Sequence, residues 1–314
     1  MTDPKPRLTY LGPPGTFTHG AVDLLGKPWA GSVEPRESVA DVIFSVESGE
    51  AAAGVVPLET SVEGDVSSTI DELIFRSSMC FINEEIIVPI NYVAAGQAGS
   101  RLSEVTQLIT TSAALSQCRR FVESLDATVT LVASNAAASA AVAGADNSQH
   151  AALTTAIAAK QEQLAILRGV AEDHSGVSTR MALLSRRVSE PTGHDRTSIV
   201  VTPIGDRTGV LVEILQCFAA RDIALTSISS RPLKTRAGEY SFLLTARGHI
   251  ADERIQEALQ AAAELPSELK ILGSYPLNGG GDRRGGESAP PGSVTADALP
   301  DWIATLLTPE SLAT

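Results

Sequence analysis

From Arg7 to about Arg187 the chain alternates short apolar runs with stretches whose apolar residues recur at helical spacing. Residues 8–11, 53–56, 86–93, 107–110, 128–132, 150–153 and 181–184 read as strands, and 17–25, 39–48, 112–124 and 136–143 as helices between them. This alternation predicts α/β layers built on a mostly parallel sheet. The alanine-rich segments 135–144 and 156–160 are good helix formers that allow close approach to a sheet.

The pattern changes at residues 188–196, a polar Pro/Gly stretch that reads as a linker between a domain at 7–187 and a second one at 197–277. The second domain predicts strand 198–202, a helix faced by Leu211, Ile214, Leu215 and Phe218, and strand 223–230. Alternating Tyr240, Phe242 and Leu244 give a third strand. A helix with Ile255, Ala258, Leu259 and Ala262 and strand 269–274 complete it. The order βαββαβ implies a four-stranded antiparallel sheet with two helices on one face. It is poor in nucleophiles, which favours binding over catalysis. Residues 278–314 are rich in Gly and Pro and are expected to be largely disordered, with one short helix at 299–307.

Length agrees with two domains, since 314 residues exceed one ordinary core. The net charge of −13 argues against nucleic acid or an anionic membrane as partner. Three widely spaced cysteines, Cys80, Cys118 and Cys217, show neither metal-ligand spacing nor a disulfide framework. With no signal-peptide pattern at the start and no apolar run near the ~20 residues that span a bilayer, a cytoplasmic location is expected.

Three segments carry candidate chemistry. In the first, strand 8–11 runs into Gly12-Pro13-Pro14-Gly15-Thr16-Phe17 and a helix. Its glycine spacing does not supply the G-x-G-x-x-G of a dinucleotide site, whereas an amide-rich helix start suits a carboxylate. The second, residues 54–73, reads as a buried strand that exits at Pro57, a loop, and a helix with Val66, Ile70, Leu73 and Ile74 on one face. Thr60, Ser61, Ser67, Ser68 and Thr69, with Thr16, would gather neutral donors for a small anion. They equally suit a capped helix after a turn. The third, Ser178-Thr179-Arg180, precedes an apolar strand. Arginine can grip a carboxylate bidentately and threonine can donate to a leaving oxygen; a strand start with an exposed arginine is the alternative. Glu59 is the one carboxylate inside a motif, and His19, His150, His174, His194 and His249 stand isolated.

Together these segments resemble prephenate dehydratase. The family's Gly-Pro-x-Gly-Thr-Phe is matched at residues 12–17, and its Pro-hydrophobic-Glu-Asn-Ser at 57–61, followed by Gly64 and Thr69-Ile70-Asp71. Its Thr-Arg-Phe is matched at 179–181. The C-terminal unit is similar to the family's ACT regulatory domain, with Gly209-Val210-Leu211-Val212 for Gly-Ala-Leu-Val and Ser229-Ser230-Arg231-Pro232 for Glu-Ser-Arg-Pro. Four positions depart from the pattern: Thr60 for Asn, Thr110-Thr111 for Ser-His ahead of the retained Gln117-Cys118, Met181 for Phe, and Ser229 for Glu.

The resemblance implies a two-lobed catalytic domain with a central cleft, similar to periplasmic binding proteins. It implies loss of carbon dioxide and water from prephenate to give phenylpyruvate, with no cofactor and no metal. Thr179, Arg180 and Thr69 would be catalytic. Thr16, Phe17, Glu59, Thr60, Ser61, Thr111 and Gln117 would line the substrate. Phenylalanine would bind as effector at Gly209, Val210, Leu211, Ser229, Ser230, Arg231 and Pro232, in a homodimer or homotetramer. A related dehydratase or decarboxylase of a similar diacid (arogenate dehydratase or prephenate decarboxylase), or a non-catalytic amino-acid sensor, are the alternatives.

Overall fold

The computed structural model describes residues 6–25, 29, 32–145, 147–170, 173, 176–205, 207–233 and 238–277. The expected helix at 299–307 and His174 lie outside them. The N-terminal part opens with β1 (Leu8–Leu11), α1 (Phe17–Leu25), β2 (Val33–Arg36), α2 (Val39–Glu47), β3 (Ala53–Thr60), β4 (Gly64–Asp65), α3 (Ser67–Phe75) and β5 (Phe81–Pro89). A second sheet is then built from β6 (Tyr92–Gly96), β7 (Gln107–Thr110), α4 (Ser112–Gln117), α5 (Arg119–Glu123), β8 (Thr128–Leu131), α6 (Asn135–Ala143), β9 (His150–Thr155), α7 (Ala156–Gln161) and β10 (Ala165–Val170). The chain returns as β11 (Ser178–Ser185) and continues into β12 (Asp195–Pro203), α8 (Val210–Ala219), β13 (Leu225–Pro232), β14 (Tyr240–Arg247), α9 (Glu253–Glu264) and β15 (Ser267–Pro276).

The sheets are mixed, not mostly parallel. In the first, β1 pairs in parallel with β2 and β3, while β11 runs antiparallel to β3 and β5. In the second, β7 is parallel to β8 and β9, and β6 is antiparallel to β9 and β10. The antiparallel strands are those the chain uses to leave and re-enter, which apolar runs alone cannot reveal.

Three expected elements are redrawn. The run 86–93 is two strands in different sheets, because Pro89 has no amide with which to continue a ladder. The helix 112–124 breaks at Cys118 (φ −127°, ψ 34°), and the Asp173 carboxylate accepts from the Arg120 amide in the new first turn. The strand from Ala53 does not exit at Pro57 but runs to Thr60 through a bulge, so that Arg180 faces Glu59 while Met181 faces Pro57. A bulge is where a strand tolerates a residue that cannot donate.

The C-terminal order is βαββαβ. Ile199, Val201, Leu244 and Ala246 meet α8 and α9 on one face of its sheet. The other face is covered as well: Val200, Leu243, Leu272 and Tyr275 join Ile70, Leu73, Ile82 and Leu184 in a single core. β12 already starts at Asp195, inside the expected linker, and β15 lies beside β5, where Gly273 pairs with Ile82. A Cβ on Gly273 would stand 2.2 Å from the Ile82 carbonyl oxygen, so only glycine lets these backbones touch. Among the described residues the first sheet thereby runs over nine strands from β13 to β2, with β4 as a tenth paired to β3.

Candidate active site

The segment after β3 is held by its own hydroxyls. Thr60 Oγ1 accepts from the Glu63 amide at 2.9 Å, and the Val66 amide donates to the Leu58 carbonyl, closing the turn into β4. Ser61 extends the ladder with β11: its amide donates to the Ser178 carbonyl, and its Oγ accepts from the Ser178 amide at 3.0 Å. Thr69 is fully buried and donates to the Pro57 carbonyl at 2.6 Å, beside the bulge. That hydroxyl is engaged by the strand's own carbonyl and supports the bulge.

The two faces of β11 separate Thr179 from Arg180, because successive side chains on a strand point to opposite sides. Thr179 (6% exposed) lies opposite Thr60 of β3 and Val88 of β5. Met181 and Leu183, two and four residues on, pack with Val55, Val88, Ala21 and Val22, which places α1 on this face. Arg180 points the other way. It pairs with Glu59 and reaches Glu85 Oε1 at 3.6 Å, and Arg196 of β12 approaches Glu85 at 3.4 Å. Burial pushes the Glu85 carboxyl up, offset only in part by Arg180 and Arg196, and Tyr275 hydrogen-bonds to it. Glu59 and Arg180 therefore belong to a charged seam beneath the C-terminal unit, on the side of β11 away from Thr179.

Around the Thr179 face the start of α1 meets the second sheet. The Phe17 ring packs edge-on against Tyr92, centroids 5.4 Å apart, and contacts the cores of both sheets. Thr155, the N-cap of α7, donates to the Gly15 carbonyl at 2.7 Å. Thr16 Oγ1 donates to the Pro13 carbonyl and stays partly exposed. Two crossings join the sheets here, and they are tied to each other by the Ile90 amide on the Val177 carbonyl at 3.0 Å. From the second sheet, Thr111 caps α4, accepting from the Ala114 amide. Gln117 ends that helix buried, its carbonyl accepting from the Asp173 amide and its Oε1 without a partner among the described residues. Thr179 and Thr60 thus face each other across β11 and β3, the start of α1 with Thr16 and Phe17 meets β6 and α7 of the second sheet, and Thr111 and Gln117 lie at the two ends of α4. Thr69, Glu59 and Arg180 do not join them.

Cys80 is buried, which pushes its thiol up to about 12 and leaves it protonated at neutral pH. Among the described residues no group of three His, Cys, Asp or Glu is placed to hold a metal, and no helix is long and apolar enough to cross a membrane.

In the C-terminal unit the two expected effector segments lie at the same end of the sheet. Phe242 of β14 pairs with Val201 on one side and Ser230 on the other. Gly209 is the N-cap of α8 with φ +89°, and among the described residues no atom lies within 4 Å of where its Cβ would be. Its backbone conformation, and not a close contact inside this chain, calls for glycine. Val210 and Leu211 open the helix, and Val210 borders a cavity of ≈ 60 Å³ with Tyr240 and Phe242. Pro232 ends β13, and on that strand Ser229 and Arg231 share the face turned toward α3 while Ser230 takes the opposite one. Arg231 pairs with Asp65 of β4.

The sequence reading passed over Asp65, Glu85, Arg196, Lys270 and Tyr275. Glu85 had a signal, a carboxylate in the buried phase of an apolar strand. For the others no local pattern exists, because their partners lie from 77 to 197 residues away.

The family model described as prephenate dehydratase matches residues 8–189. A prephenate dehydratase of Amycolatopsis methanolica is 34% identical over 272 residues, covering 86% of this chain and 88% of the relative. A bifunctional chorismate mutase/prephenate dehydratase of Aquifex aeolicus is 34% identical over 87% of this chain and 74% of its own length. The crystal structure of a prephenate dehydratase in complex with L-Phe, from Arthrobacter aurescens, superposes with a TM-score of 0.80 at 33% identity, covering 96% of this chain and 99% of that one.

Proposed function

This chain belongs to the prephenate dehydratase family, and on that premise we propose that it converts prephenate to phenylpyruvate, carbon dioxide and water as a cytoplasmic carbon–oxygen lyase of phenylalanine biosynthesis. One proton is consumed per dianion: the ring carboxylate leaves as carbon dioxide, its bonding electrons complete the aromatic ring, and the ring hydroxyl departs as water. Aromatisation drives the step, so the protein's task is to orient the diacid and assist the hydroxyl.

The observation that carries this reading is the buried Thr179 opposite Thr60, on the β11 face turned toward α1, in a chain that matches the family over residues 8–189. Thr179 donates a hydrogen bond to the departing oxygen. A threonine hydroxyl is too weak an acid to be a literal proton source near neutral pH, so its contribution is a preorganised donor. Thr16, Phe17, Thr60, Ser61, Thr111 and Gln117 line the substrate. The alternation of β11 keeps the charges of Glu59 and Arg180 off that face. The neutral surroundings that remain favour loss of a carboxylate as carbon dioxide. Arg180, Glu59 and Thr69 then act as supports of β3 and β11.

Phenylalanine is the effector in this proposal, bound where Gly209–Val212 of one C-terminal, ACT-like unit meets Ser229–Pro232 of a second copy in a homodimer or homotetramer. A 60 Å³ cavity within one chain is too small for the amino acid, and the L-Phe complex of the Arthrobacter relative supports the ligand's identity. Ultraviolet absorption of the product after incubation with prephenate tests the activity. A phenylpyruvate spectrum is expected; a non-aromatic product, turnover of arogenate alone, or no product sinks the reading. Calorimetric titration of phenylalanine should show binding to the wild type and loss of it in Gly209→Val.

A further inference from the structure

Arg231 sits in the strand expected to bind an effector, yet its guanidinium is engaged elsewhere in the same chain. Nη2 donates to Asp65 Oδ2 at 2.6 Å and Nη1 to Ser67 Oγ at 3.0 Å. Asp65 lies in β4, paired across from Glu59, and Ser67 is the first residue of α3. The two bonds therefore grip the far side of the turn whose near side carries Thr60 and Ser61. The turn's other ties are the Thr60–Glu63 and Val66–Leu58 bonds within it and the Ser61–Ser178 bonds to β11, and the arginine adds an anchor from the C-terminal unit. Ser61, Val62 and Glu63 are exposed, and α3 has no side-chain cap on its first amides. The Arg231–Asp65 pair is itself partly shielded from water, at 15% and 23% exposure, where a charge-assisted bond to arginine holds geometry better than a surface pair.

We propose that Arg231 is a positioning residue for the reaction: it fixes the 60–67 turn, and through it the hydroxyls of Thr60 and Ser61, from the effector strand of the C-terminal unit. The inference rests on the proposed substrate site. It adds that a ligand which displaces β13 alters substrate binding in part through this contact, in proportion to its differential affinity for the two positions of the strand.

The test combines kinetics with a readout that needs no turnover. Arg231→Met should raise KM for prephenate about tenfold with kcat within about threefold, a coupling on the scale of contacting residues. Asp65→Asn should do the same, and the double variant should be no worse than either single one. Arg231→Lys, which keeps the charge but loses the fork, should fall between wild type and Arg231→Met. Amide hydrogen exchange should accelerate about tenfold over residues 59–67 in Arg231→Met and stay unchanged over α2, which also shows that the variant is folded. Unchanged exchange over 59–67, additive effects of the two single variants, or lost phenylalanine binding with unchanged KM would overturn the proposal. A wild type inert toward prephenate would instead remove the proposed reaction, and the exchange result would still decide the role of Arg231.

Discussion

Two seams run through this molecule, and they are built differently. The seam between the two sheets, where Thr179 lies, is closed by scattered contacts: among them Thr155 on the Gly15 carbonyl, the Phe17–Tyr92 ring pair, the packing of Gly15 and Gly20 on α7, and the Ile90–Val177 bond that ties the crossings. The seam between the N-terminal part and the C-terminal unit is continuous sheet through Gly273 and Ile82, over a shared apolar core and the Glu85, Arg180, Arg196 and Tyr275 cluster. Two crossing segments and a few polar contacts can adjust to admit a substrate. A packed core with a buried ion cluster has discrete arrangements and moves as a body. The contrast teaches that a displacement of the C-terminal unit would reach the first seam by shifting one whole side of it.

The largest effect expected from breaking either seam belongs to Thr179. Thr179→Ala should lower kcat by roughly 10²–10³, the scale for removing one donor aimed at developing charge, with the thermal midpoint nearly unchanged. Steady-state kinetics with less than a threefold loss would take Thr179 out of the reaction. Next in size is the second seam. Gly273→Ala drives a methyl into the Ile82 backbone, which cannot swing aside as a side chain would. It should cost about 3 kcal/mol of stability, at the upper end of overpacking effects. A urea midpoint equal to wild type would show that β5 and β15 separate without penalty.

The first seam was largely legible in the sequence and the second was not, for physical reasons. Gly12–Phe17, Pro57–Ser61 and Thr179 stand in local motifs where strand, turn and helix start succeed one another within a few residues, and the structure sets Thr179 opposite Thr60. The reading went astray where a side chain's direction mattered. Thr179 and Arg180 are neighbours in sequence but face opposite sides of β11, a consequence of strand alternation visible only once Arg180 is placed within a strand. Likewise Pro57 predicted an exit because a bulge leaves no mark in the apolar pattern. The Gly273–Ile82 join and the partners of Arg196 and Lys270 are non-local pairings, and no periodicity encodes them.

A smaller effect sharpens the account of the second seam. The Tyr275 hydroxyl bonds Ser198 Oγ at 2.8 Å and also serves Glu85, while burial pushes the phenol up so that it remains a donor. Tyr275→Phe keeps the ring in the core and removes only these bonds, and should cost about 1–2 kcal/mol. If chemical denaturation shows no loss, the cluster is held by its arginines alone.

The smallest effect concerns the end of α3, where both sides of the second seam converge. Lys270 of β15 donates to the carbonyls of Leu73 and Ile74, at 2.6 and 2.7 Å, and to that of Ser77. From the other side Glu47 Oε1 accepts from the Ser77 hydroxyl and from the Ser78 and Met79 amides at 3.0, 2.6 and 2.7 Å. Burial raises the Glu47 carboxyl, but those three bonds and the nearby Lys270 ammonium together outweigh it, and the net shift is downward. A carboxyl whose folded pKa lies below its unfolded value binds fewer protons in the native state. Its contribution is therefore present above the ordinary glutamate range, near about 4.3, and is lost as pH falls through the lower folded value. Glu47→Gln keeps an acceptor without the charge. Its thermal midpoint should fall slightly below wild type at neutral pH, and the gap should close as pH drops below about 4. A gap that stays constant down to that pH would mean that Glu47 braces the turn by shape alone, and that its charge does not help to hold α3 against β15.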